Sequence, residues 1–139
     1  MWLAYASNET GTYEVFVRSF PDQDVKRQIS IGGGLYPRWR RDGRELFYLT
    51  PGNRLMAVPI TGGPQTRTLN SGTPVMLFAS RIAIGANNGT GGSLSKAQYA
   101  VAPDGQRFLL NTTAADSATS PITVVLNWDA ALKQVVPPK

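Results

Sequence analysis

Apolar positions along this chain come in short runs separated by breaks rich in Gly, Pro, Asn and Asp, a pattern of strands and turns. Trp2 to Ser7 reads as a strand, Asn8 to Thr12 as a turn, and Tyr13 to Phe20 as a second strand. In that second strand Tyr13, Val15 and Val17 face one side and Glu14, Phe16 and Arg18 the other, so Phe16 among charges predicts cover on both faces. Pro21 to Asp24 is a loop, and Lys26 to Ile31 a charged strand that protects a sheet edge. Gly32-Gly-Gly34 lets the chain change direction into Tyr36 to Arg40. Asp42-Gly43 then turns it into Glu45 to Tyr48, because Gly accepts positive φ without a Cβ clash and Asp bonds to the turn backbone. Thr50 to Asn53 turns again into a strand from Arg54 to Ile60, where Pro59 must lie at the end or on an unpaired side, having no N–H to donate. Thr66 to Leu69 and Val75 to Phe78 supply an outer strand interrupted at Gly72-Thr-Pro74.

The stretch 79–97 shifts to Gly, Asn, Ser and Ala and is expected to be a flexible insert, since it has little apolar surface to offset its ordering entropy. A second hairpin follows, with Asp104-Gly105 in the turn and Phe108-Leu109-Leu110 after it. A polar loop, 112–120, leads to the β-branched run Pro121 to Trp128, read as a buried strand, and Asp129 caps one or two helical turns before an extended end. The hairpin recurs. Leu3-Ala-Tyr5 matches Leu46-Phe-Tyr48 at 43 positions, and Phe108-Leu-Leu110 follows after 62, the excess being the insert. A period near 40–45 residues with four strands per unit is a signature of propeller blades.

Composition removes several chemistries. The chain has no cysteine, which excludes disulfides and thiolate metal sites, and no histidine, the commonest general base and transition-metal ligand. Without histidine there is no His-Arg-Asp kinase loop, and nothing activates Ser93 in Gly91-Gly-Ser-Leu-Ser95, which also has Ser95 where a nucleophile elbow requires Gly. Asp22-Gln-Asp24 lacks the glycine and glutamate of a calcium loop and reads as a solvated turn. The expectation is therefore no enzyme activity, no cofactor and no metal. The net charge of +5 is scattered. Alternation puts Arg38 and Arg40 opposite Trp39, with Arg41 in the turn, so no phosphate-tracking stripe forms and nucleic acid is not the expected partner. No apolar run reaches the ~18 residues of a membrane span, so no membrane contact is expected of this segment. Trp2 and Trp39 read as core between repeat units rather than as stacking platforms.

Pro37-Arg-Trp-Arg-Arg-Asp-Gly43 resembles the repeat of TolB-like β-propellers, and Ala102-Pro-Asp-Gly105 matches it with Ala where Ser is usual. With Tyr13 to Phe20, Gly43 to Tyr48 and the closing Asn127-Trp128, the chain is most similar to the C-terminal propeller of bacterial transmembrane serine/threonine kinases. The resemblance covers nearly everything but the insert and its motifs are specific to fold rather than function. It implies an all-β partial propeller of about three four-stranded antiparallel blades, the first and last incomplete. The units are 1–31, 32–78 and 98–139, with 79–97 inserted, in a single domain. It further implies a non-catalytic module for protein interaction or signal sensing in a larger bacterial signalling or envelope protein, with an extracytoplasmic location. The alternatives are the accessory propeller of a hydrolase and a small-ligand or carbohydrate binder. Met1-Trp2 leads straight into a strand, as expected of a piece of a longer chain. A protein partner is expected, and a homodimer of this chain would complete a six-bladed ring of the usual size for the family.

In a four-stranded up-and-down blade, the loop entering the inner strand and the loop joining strands two and three share one rim. The segments 79–97 and 112–120 are one of each kind, so the two longest loops should lie side by side, with the Asp42-Gly43 and Asp104-Gly105 turns at the other rim. The expected recognition surface therefore comprises Arg81, Asn87, Asn88, Lys96 and Asp116, with Asn53 and Arg54 nearby.

Overall fold

The computed structural model describes residues 1–63, 68–82 and 98–112, which contain ten strands and no helix. Three antiparallel sheets form, none closed into a barrel. β1 (Trp2–Ser7), β2 (Glu14–Ser19) and β3 (Lys26–Gln28) make the first, in chain order. β4 (Leu35–Trp39), β5 (Glu45–Leu49), β6 (Arg54–Gly63), β7 (Thr68–Ser71) and β8 (Val75–Ala79) make the second. β9 (Tyr99–Val101) and β10 (Phe108–Leu110) form the third.

Both β7 and β8 pair with β6, through Ile60 to Gly63 and through Arg54 to Ala57 respectively. The backbone groups of odd-numbered β6 residues point to that one edge: Pro59 O accepts from Gly72 N at 2.8 Å and Asn53 O from Ser80 N at 2.7 Å. β7 and β8 are therefore one outer strand interrupted at Gly72, directly opposite Pro59, as its missing N–H requires. The sequence reading of an outer strand broken by Gly-Thr-Pro holds.

The second sheet is apolar on both faces and lies between the other two. Leu46, Tyr48, Val58 and Ile60 pack with Val15, Val17 and Ile29 of the first sheet, and Trp2, Ala4 and Trp39 line the same layer. Phe47, Leu49, Leu55 and Ala57 point the other way, packing with Ile82 and Tyr99 and flanked by Val101, Phe108 and Leu110. Strand periodicity sorts these residues: Leu46 pairs with Val58 and Tyr48 with Met56 on one face, Phe47 with Ala57 and Leu49 with Leu55 on the other. Each fully buried Leu, Val or Phe contributes about 1.5–3 kcal/mol, so these two layers hold the sheets together. Trp2 and Trp39 are partly buried against the first layer, core rather than stacking platforms.

Four local expectations change. β3 ends at Gln28; Ile29 and Ser30 stay buried beyond it, while Ile31 is fully outside. Glu14, assigned to a charged face, is buried: it accepts from the Ser30 hydroxyl and, at 2.9 Å, from Gly33 N, and Ser30 Oγ in turn accepts from Val15 N at 2.8 Å. A buried carboxylate is tolerable with such donors and costly without them. Phe16 is covered, as expected, but by Tyr5 stacked at 5.8 Å and by Lys26 Nζ at 4.8 Å over its ring rather than by a neighbouring sheet. Ile82, read as part of the insert, is buried in the second layer. The run Pro121 to Trp128 and the turns at 129–134 lie outside the described residues.

Candidate recognition rim

One rim of the stack is closed by the two Asp-Gly turns. Gly43 N donates to Arg40 O at 2.9 Å with φ at 72°, and Asp42 Oδ1 accepts from Arg44 N at 3.0 Å. The second hairpin repeats this, Gly105 N donating to Ala102 O at 2.9 Å with φ at 70° and Asp104 Oδ1 accepting from Gln106 N at 3.0 Å. In both, glycine is the fourth residue of the turn, so the loop is longer than the two-residue hairpin that Asp-Gly most often signals. Arg40 ties the turns together. Its guanidinium lies 3.0 Å from Glu45 and 3.3 Å from Asp42, and its Cδ stands 2.9 Å from where a Cβ on Gly105 would be. The hydrogen bond to Glu45, ahead of the Asp42, Glu45 and Asp104 charges, raises its pKa. The Gln106 N–H, and then Arg107, hold the Asp104 carboxyl below its ordinary value.

The other rim carries the loop entering β4, the β5–β6 turn and the chain at Ile82 and Thr112. Between the first two sheets, the loop entering β4 touches the β5–β6 turn: a Cβ on Gly33 would fall 2.5 Å from Pro51 Cγ. Between the second and third, Ile82 forms an antiparallel bridge with Thr112. These are equivalent meetings one repeat apart, and the second joins the residues that lead into 83–97 and 113–120. Asn53, at φ 58°, closes the turn with its N–H on Thr50 O at 2.9 Å, while its carbonyl accepts from both N and Oγ of Ser80 at 2.7 and 2.8 Å. Asn tolerates this left-handed backbone better than most residues. At the second stem, Asn111 bonds Gln98 through backbone N at 2.9 Å and side-chain Nδ2 at 3.3 Å.

Of the sequence-predicted residues, Asn53, Arg54 and Arg81 come together here: Arg54 pairs with Ala79 in the β6–β8 register, Arg81 follows Ser80, and both arginines are exposed. Among the described residues neither arginine has an ion-pair partner. Asn87, Asn88, Lys96 and Asp116 lie outside the described residues, as does Ser93. Ser80, Gln98 and Asn111 were missed. Ser80 lies at the start of the 79–97 stretch, Gln98 just after it and Asn111 just before 112–120, so a stem-pairing rule would have found them. Arg38 and Arg40 project toward the third sheet, away from Trp39: Arg38 acts electrostatically on Tyr99, and Arg40 lies over Gly105. Among the described residues no three His, Cys, Asp or Glu side chains converge on a metal-sized site, and no helix is long and apolar enough to cross a membrane. Comparison with known protein families, with curated proteins and with solved structures finds no match for the chain.

Proposed function

We propose that the three stacked sheets are blades of a TolB-like β-propeller, and that the chain is a non-catalytic protein-recognition module of a larger bacterial signalling or envelope protein. The blade reading is supported by the register that the β4–β5 and β9–β10 hairpins share around their Asp-Gly turns and by the Pro37 to Gly43 motif. The recognition reading rests on one observation: the Ile82–Thr112 bridge sets side by side the points where the chain enters its two stretches rich in small and polar residues, next to the exposed Arg54 and Arg81. Long segments on one rim of a rigid scaffold carry binding, because a packed sheet fixes their ends while their sequence varies freely. The opposite rim is shut by hydrogen-bonded turns.

Photo-crosslinking in the host cell tests this. A photoreactive residue at Arg54 or Arg81 should give a discrete protein adduct; the same residue at Arg41 or Gln106, on the Asp-Gly rim, should give none. Adducts at the Asp-Gly rim alone, or at neither rim, overturn the assignment.

A further inference from the structure

The two interior layers are built from equivalent positions, and the two outer faces of the stack repeat those positions with none of the described residues packed on them. In each sheet, the first and third residues of the matched triplet point back down the stack and the second points forward. Leu46 and Tyr48 point back onto the first sheet, Phe108 and Leu110 back onto the second, and Ala4 and Phe47 point forward. By the same register Leu3 and Tyr5 point back from the first sheet, and Leu109 points forward from the third. The interior members are sealed, Leu46 at 0% and Phe47 at 1% exposure, whereas Leu3 is 47% and Leu109 77% exposed.

The rear face continues as a mixed surface, apolar at Leu3, Tyr5 and Phe20 and bordered by Arg18 and the Glu9–Lys26 ion pair. Tyr5 stacks on Phe16, Phe20 is 48% exposed, and an open recess of about 390 Å³ runs between Leu3, Tyr5, Arg18, Phe20 and Lys26. Arg18 Nε in this recess has no hydrogen-bond partner. The forward face offers the small Ala100 beside the projecting Leu109. A forward knob and a rear recess in one register are the two halves of the contact that already joins the sheets inside the molecule.

We infer that the chain associates head to tail, the Leu109 face of one copy docking on the Leu3–Tyr5–Phe16 face of another. A second copy is the favoured occupant because it carries the matching face in the matching register, continuous with the interior packing. The contact is heterologous, so copies either close a ring or extend. This inference depends on the stacking order and not on the rim, so the two proposals stand or fall separately.

The test is the solution mass of the 139-residue chain by sedimentation, with Leu3→Asp, Leu109→Asp and an equimolar mixture of the two. Each substitution falls on an exposed side chain, and circular dichroism confirms that the fold is kept; Leu3→Ser and Leu109→Ser serve if it is not. The wild type should at least double its 15.0 kDa monomer mass with rising concentration. Each single variant should weaken association at least tenfold, and the mixture should recover a dimer, because one intact face of each kind remains. A wild type that stays at the monomer mass, or a mixture that stays as weak as its components, overturns the inference.

Discussion

Phe47 and Leu109 hold the same place in successive repeats and opposite places in the packing, which makes truncation of each a direct measure of the stacking order. Phe47→Ala removes a ring that is 1% exposed and meets Phe108 edge-on at 5.1 Å between centroids. Deleting a buried Phe costs about 3–5 kcal/mol, within which the aromatic contact accounts for about 0.5–1.5. Domains of this size are stable by about 5–15 kcal/mol, so the variant folds with a large part of its margin gone. With a urea slope of about 2 kcal/mol/M, the unfolding midpoint should fall by about 1.5–2.5 M. Leu109→Ala removes a side chain that is 77% exposed and should cost about 0.5 kcal/mol or less, a shift of under about 0.3 M. Equilibrium urea unfolding at low micromolar concentration, followed by far-UV circular dichroism and by tryptophan emission from the first layer, reads both. If Phe47→Ala costs less than about 1 kcal/mol, or Leu109→Ala costs as much, the assignment of inward and outward faces is wrong.

Gly43→Ala and Gly105→Ala meet the same positive φ but different surroundings: open space around Gly43, and Arg40 Cδ at 2.9 Å for Gly105. Each should lose about 1–2 kcal/mol from backbone strain, with a further loss at Gly105 that disappears in an Arg40→Ala background, as a double-mutant cycle in urea would show. Ser30→Ala takes a donor from the buried Glu14 carboxylate and an acceptor from Val15 N; a loss of about 1–3 kcal/mol is expected, and thermal and urea unfolding that match the wild type would rule out the network as a stabilising element. Asp104 has a depressed folded pKa, chiefly from the Gln106 N–H, so its contribution is present above the unfolded value of 3.8 and lost as pH falls through the folded one. Asp104→Asn, which keeps the acceptor oxygen, should flatten that acid-side decline in a pH series of unfolding midpoints, leaving neutral-pH stability nearly unchanged.

Local chemistry made most of the strands legible. Alternation and turn residues placed β1, β2 and β5 nearly to the residue and β6 at its start, although β6 runs on from Ile60 to Gly63, and Pro59 lies on the unpaired side its missing N–H requires. Glu14 was misread, since period-two alternation records which face a side chain takes and not what a loop 16 to 19 residues later folds over it; Ser30 and Gly33 become its donors only when Gly32–Gly34 bends back. The candidate rim divides in the same way. Asn53, Arg54 and Arg81 could be named from the order of strands and loops, whereas the pairing of Ile82 with Thr112 and of Asn111 with Gln98 required the third sheet to be laid against the second.

The sequence alone determined that this chain makes repeated antiparallel hairpins with their turns at Asp42-Gly43 and Asp104-Gly105, because backbone preference and side-chain period act between near neighbours. Only the tertiary structure decided which side of each hairpin is interior, since burial depends on what stacks against a sheet. Leu3 and Leu109 lie open while Leu46 and Phe47 are sealed, although the local pattern around them is the same.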